Sequence, residues 1–289
     1  MTRRLSGASL PLLALLLLLA GCGAGGFGAA KPIEPKTSIS NYVALGDGFV
    51  AGPDLGRVTD KSCLRTADNY PVQVARLVGV NTVHDVSCTG AGTRSLTNRF
   101  KSPVTHKELP AQLDAITAKT DLVTLGIGLA DRGLLQDMFR ICVALPCGPD
   151  VVSPKPIITQ LKLYGQDLTN AVRSIQDKAP HAVIVLVGYP QLMPPASAGS
   201  CKKLPRVASA QLDAAHLVLG EINDAIRSAA QQTGAMFVDV AALSQNHTPC
   251  DDDPWVNGFQ PGGAAKPYHP LAPEQKAVAE AIAAQVRAH

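Results

Sequence analysis

Four short segments hold the residue types that could do chemistry. Gly46-Asp47-Gly48 ends an apolar run in a tight turn, and Ser87-Cys88-Thr89-Gly90-Ala91-Gly92 supplies hydroxyls and glycines. Gly128-Leu129-Ala130-Asp131 ends another apolar run, and Tyr268-His269-Pro270 precedes the last helical stretch. A turn such as the first can hold a nucleophile or cradle a phosphate. The phosphate reading fails, because the third glycine of the fingerprint is missing and no Gly-Lys-Ser/Thr follows. The nucleophile reading meets a glycine at position 48, which has no side chain to attack with. Ser87 and Thr89 are candidate substitutes, and His269 is a candidate base. Asp251-Asp252-Asp253 reads as a solvated acidic loop beside Cys250 rather than a calcium site, so no metal is expected there. Trp255 either lines a groove or closes the core over that cysteine.

The elements that position these segments alternate along the chain. Apolar strand-like runs occur at 42–45, 83–86, 122–127, 182–187 and 235–240. Helical patterns lie at 70–78, 109–119, 158–176, 209–233 and 273–287. The first helix has Pro71 near its start and Gly79 after its end. The 209–233 helix places Leu212, Ala215, Leu219, Ile222 and Ile226 on one face. Such alternation predicts an α/β fold with a five-stranded parallel sheet and helices on both faces. In sheets of that kind, function sits in the loops beyond the carboxyl ends of the strands.

The first 21 residues read as a signal peptide. Arg3 and Arg4 precede an apolar run from Leu10 to Leu19, and Leu19-Ala20-Gly21-Cys22 follows in the pattern of a bacterial lipobox. Cleavage before Cys22 leaves its thiol to carry acyl chains, which would anchor the exported protein on the outer face of the cell membrane. Residues 22–40 then read as a flexible tether, and 41–289 as the folded domain. The net charge of +3 is small, and no Lys/Arg block suggests nucleic acid. Besides Cys22 there are Cys63, Cys88, Cys142, Cys147, Cys201 and Cys250. In an exported chain these suggest disulfides. Fifteen pairings are possible, and sequential pairing is the simplest. No Cys-x-x-Cys spacing supports zinc.

The order and spacing of the blocks resemble the SGNH, or GDSL, hydrolases, in their secreted actinobacterial lipase/esterase branch. The resemblance rests on Tyr42-Val43-Ala44-Leu45-Gly46-Asp47, the 63–71 segment, Asp85-Val86-Ser87-Cys88-Thr89-Gly90-Ala91, the run from Val123 to Gly128, Pro254-Trp255-Val256-Asn257-Gly258 and His269-Pro270. It implies a flavodoxin-like three-layer fold, no cofactor, and disulfides Cys63–Cys88, Cys142–Cys147 and Cys201–Cys250. It also implies that a serine at position 48 should attack an ester carbonyl while His269 moves the proton. The oxyanion should be held by the backbone at 48 and Gly90 and by an asparagine at 130. Here the serine is Gly48, the asparagine is Ala130, and the acid three residues before the histidine is Lys266. In some members of that branch a backbone carbonyl orients the histidine instead. The expectation is a lipid-anchored surface protein with impaired chemistry and a cleft for lipid, acyl-ester or glycan ligands. A slow ester hydrolase using His269 with water or a substitute nucleophile is one alternative, and a structural envelope protein is another.

Overall fold

The structure, a computed structural model, describes residues 39–131, 155–195, 197, 201–204, 209–259 and 267–289. Cys22, Cys142, Cys147 and Lys266 lie outside the described residues. Strand β1 (Tyr42–Gly46) is the centre of the design, and all five of its residues are buried. Two short hairpin pairs, β2 (Val58–Asp60) with β3 (Arg65–Thr66) and β5 (Phe100–Lys101) with β6 (Glu108–Leu109), sit outside the main sheet. The main sheet runs β4 (Val83–Asp85), β1, β7 (Leu122–Gly126), β8 (Val183–Val187), β9 (Met236–Val238). All four pairings are parallel.

Alternation along the strands feeds two separate cores. Val43, Leu45, Val123, Leu125, Ile184 and Leu186 face one side, where they meet Leu168, Val172 and Ile175 of the Lys155–Lys178 helix and Ile222 and Ile226 of the Ser209–Thr233 helix. Tyr42, Ala44, Leu122, Val185 and Val187 face the other, against Val74 of the Tyr70–Val78 helix and Val278 and Ile282 of the Ala272–Ala288 helix. Apolar residues on both faces are what a parallel sheet between two helical layers demands. Sequence order β4-β1-β7 puts the switch in chain direction beside β1, so the loops after β1, β4 and β7 crowd one end of the sheet.

One predicted element is different. Residues 109–119 do not make an α-helix. Leu109 belongs to a strand, Pro110 follows it, and only a single 3₁₀ turn, Gln112–Ala115, forms. Gln112 is buried and its side chain pairs with the backbone of Gly46, accepting from the N–H at 2.8 Å and donating to the carbonyl at 2.9 Å. Those two bonds hold the turn against the carboxyl end of β1 and override the helical pattern.

Cys63–Cys88 and Cys201–Cys250 are disulfides, as sequential pairing predicts. Both members of the first bridge are buried, and the Thr89 N–H donates to the Cys63 carbonyl at 3.1 Å. The bridge closes a loop with a sequence separation of 25 and fixes the segment that carries Thr89 and Gly90. Replacing both cysteines with alanine is expected to lower stability by about 3 kcal/mol in urea unfolding, chiefly by freeing the unfolded chain.

Candidate functional site

Gly46 must be glycine: its φ is +155°, and a Cβ there would run into Val50 and the Gly126 carbonyl. Gly48 is under no such demand. It opens a one-turn helix, Gly48–Ala51, with no positive φ. A Cβ placed on it would meet only Thr89, with Oγ1 at 3.6 Å and Cγ2 at 3.7 Å, which is ordinary contact. The backbone at position 48 is therefore able to carry a side chain.

Asp47 caps that turn. It is 3% exposed, and its carboxylate accepts from the Phe49 N–H at 2.9 Å and from the Tyr189 hydroxyl at 2.6 Å. Burial pushes its carboxyl up to about 6, opposed by the Tyr189 and Phe49 bonds. The Tyr189 oxygen in turn accepts from the Leu129 N–H at 3.2 Å, and the Tyr189 ring packs edge-on against Phe49. Tyr189 thereby joins the 46–48 turn to the 128–131 loop from the end of β8. Reading the sequence for chemistry at the first three strand ends missed it. Its place directly after β8, in Gly188-Tyr189-Pro190, was the signal available.

The second loop is tied to the third. Asp131 is buried and accepts from the Thr93 N–H at 2.8 Å and the Thr93 hydroxyl at 3.0 Å. Its own N–H closes a turn onto the Gly128 carbonyl at 2.9 Å, with half-buried Ala130 inside that turn. Gly90 has φ +81°, a left-handed conformation that favours glycine, and a Cβ there would come within 2.8 Å of Pro103. Neither the Gly48 nor the Gly90 N–H bonds another described residue. Among the described residues, both N–H groups are thus left without a protein acceptor.

The two substitute nucleophiles separate clearly. Ser87 is fully buried, donates to the Asp85 carboxylate at 2.6 Å, and gives its carbonyl to Arg65 at 2.6 Å. It is a structural residue behind the loop, so the expectation that it reaches the cleft is corrected. Thr89 faces position 48, and its Oγ1 is buried with no partner.

His269 stands just before the Ala272–Ala288 helix. Its Nδ1 lies 2.9 Å from the Pro267 carbonyl. A carbonyl only accepts, so Nδ1 carries the proton and Nε2 is the basic nitrogen. This is the carbonyl-oriented form, which dispenses with an acid at position 266. The start of the last helix is fastened to the nucleophile turn by Gln275. Its Nε2 donates to the Phe49 carbonyl at 2.9 Å and its Oε1 accepts from the Tyr70 N–H at 2.7 Å. A buried glutamine within a helical stretch gave no sequence signal of that role.

The remaining candidates are structural. Trp255 is 8% exposed, stacks on His247 with ring centroids 4.4 Å apart, and belongs to the core cluster against which Cys201 and Cys250 pack. Asp251 accepts from the N–H and hydroxyl of Thr248 at 2.6 and 2.8 Å, as a turn cap does.

Together, a doubly wound sheet, an acid-capped turn after the first strand, a glycine donor after the second and a carbonyl-oriented histidine before the last helix define an ester-hydrolase framework. The chain belongs to the GDSL-like Lipase/Acylhydrolase family, whose sequence model matches residues 44–273. It is 31% identical over 265 residues to Lipase 2 of Streptomyces coelicolor, spanning 87% of each chain. It is 28% identical to an esterase of Streptomyces scabiei, over 86% of this chain and 81% of the other. Its fold matches the crystal structure of phospholipase A1 from Streptomyces albidoflavus NA297 with a TM-score of 0.68, at 25% identity, covering 86% of this chain and all of that one.

Proposed function

We propose that this protein is an exported, lipid-anchored member of the family whose acyl-enzyme chemistry is lost and whose cleft binds acyl-lipid or glycan ligands. The observation that carries the reading is Gly48. It occupies the position where the family's nucleophile stands, and neither its backbone nor its surroundings require a glycine. Ala130 removes a second group, the oxyanion-binding asparagine. The loops around them are still held by Asp47, Tyr189, Gln112, Asp131 and Gln275. A cleft framed in this way binds without forming a covalent intermediate. The anchor rests on Leu19-Ala20-Gly21-Cys22 and on the apolar run before it. Among the described residues no helix is long and apolar enough to cross a membrane. Lipase and esterase relatives favour acyl ligands over glycans.

A second reading draws on His269. With Nδ1 bonded to Pro267, Nε2 is positioned in its basic form and can take a proton from water. That supports slow hydrolysis without an acyl-enzyme.

One experiment addresses both. A fluorophosphonate probe is expected to leave the purified protein unlabelled, and mass spectrometry is expected to find co-purified acyl lipid. Labelling that vanishes in Thr89→Val would overturn the loss of covalent chemistry. Hydrolysis of p-nitrophenyl esters that vanishes in His269→Ala would establish the second reading. A protein that carries no ligand and turns over no ester would be a structural envelope component.

A further inference from the structure

The stretch from Arg94 to Lys107 contains no acid. Arg94, Arg99, Lys101 and Lys107 are all exposed, and among the described residues none of them has an ion-pair partner. Two acids adjoin this surface: Glu108, opposite Lys101 in the ladder, and Asp167, which lines one depression together with Arg94. At the tip of the hairpin, Val104 is 43% exposed next to exposed Pro103. An exposed apolar tip on a segment with four exposed cations and no acid of its own is not what a merely solvated loop requires.

The hairpin is also rigid. The Ser102 hydroxyl donates to the Ser62 carbonyl at 2.6 Å and accepts from the N–H groups of Val104 and Thr105 at 3.1 and 3.0 Å. The Ser102 N–H bonds the Lys107 carbonyl at 2.9 Å, and the Thr105 hydroxyl reaches Ser62 at 3.1 Å. Ordering cost is therefore met before any partner arrives. Pro103 packs close to Gly90, so this hairpin adjoins the loop that carries Gly90 in the candidate site.

We propose that residues 94–107 are a docking surface for an anionic lipid bilayer, which sets the Gly90 side of the cleft against the lipid. Charge complementarity selects an anionic partner. Val104 and Pro103 select a bilayer over a soluble polyanion, because only the bilayer offers an apolar layer beneath its charged surface. The proposal does not depend on whether the site turns over esters.

The test uses the full chain carrying Cys22→Ala, so that no acyl anchor contributes, in co-sedimentation with vesicles. Binding to equimolar phosphatidylglycerol/phosphatidylcholine vesicles is expected to exceed binding to pure phosphatidylcholine and to weaken as salt rises. Each basic residue at such a surface contributes roughly fivefold in partitioning, so Arg99→Gln/Lys101→Gln/Lys107→Gln, which removes three charges, should lower the excess about a hundredfold. Val104→Ser should lower it without changing the net charge of the hairpin. Lys162→Glu/Arg173→Glu, on the Lys155–Lys178 helix, should change it little. An unchanged excess in the triple variant, or an equal loss in the helix control, would overturn the proposal. So would a parent that binds soluble polyphosphate as tightly as vesicles with Val104→Ser indifferent.

Discussion

Gly48→Ser combined with Ala130→Asn is expected to hydrolyse short p-nitrophenyl esters at least about a thousandfold faster than the parent chain. Losing the nucleophile of a serine–histidine system costs about 10⁶ in turnover, and losing one oxyanion donor costs roughly 10²–10³, with the two losses far from additive. The nucleophile therefore dominates. Gly48→Ser alone should supply most of the gain, and Ala130→Asn alone should supply none. The backbone favours the change: position 48 is helical, and its new Cβ meets only Thr89, at 3.6 Å or more. Asp47 already holds the turn, and the N–H of Gly90 is available. His269 has its tautomer set by Pro267. Adding His269→Ala to the double variant should return the rate to the parent's. A folded double variant with no activity would mean that His269 does not reach a serine at 48, and that the cleft differs in shape as well as in residues.

If the gain appears, chemistry and framework are separable in this protein. The bonds that fix the loops run through Asp47, Tyr189, Gln112, Asp131 and Gln275, and none of them uses the side chain at 48 or 130. A receptor needs those bonds as much as an enzyme does, because a cleft with mobile walls must be ordered on every binding event.

The sequence made the fold legible where periodicity and burial agree. Strands at 42–45, 122–127 and 182–187 and helices at 70–78 and 209–233 emerge within a residue or two, because two-sided burial writes continuous apolar runs and one-sided packing writes a helical stripe. Residues 109–119 failed for a tertiary reason. Gln112 gains two buried bonds to Gly46 that no local pattern reports. The candidate site was legible at its ends. Gly48, Gly90, Ala130 and His269 sit in short motifs, whereas Tyr189 and Gln275 act through contacts 142 and 226 residues away in the chain. Ser87 shows the opposite error: a hydroxyl in the right loop is spent on Asp85, behind the cleft.

Glu274→Gln is expected to stabilise the protein by about 3–5 kcal/mol at pH 9 and by little near pH 5. Glu274 is 3% exposed in the first turn of the last helix, and among the described residues its carboxyl accepts from the Gln275 amide at 2.7 Å. Burial pushes its carboxyl from 4.5 up to about 8, and the Gln275 bond offsets only part of that. The native state therefore keeps the proton through neutral pH, whereas the unfolded chain releases it near the ordinary value. With the folded value raised, the contribution to stability is fully present below the unfolded value. It is lost as pH climbs toward the folded value, and above that the buried charge is carried at full cost. Asp47, raised to about 6, adds a smaller loss of the same sign at lower pH. Glutamine matches the protonated acid in shape and still offers an oxygen to Gln275, so it removes the penalty without opening a cavity. Urea unfolding of both chains at the two pH values measures the difference directly, and an equal difference at both would show that Glu274 titrates normally. The consequence reaches the cleft through the neighbouring residue. Gln275, six residues after His269, fastens the helix start to Phe49 and Tyr70, so charging Glu274 loads the anchor that holds the 46–51 turn. Activity recovered in Gly48→Ser/Ala130→Asn should accordingly survive to higher pH when Glu274→Gln is added.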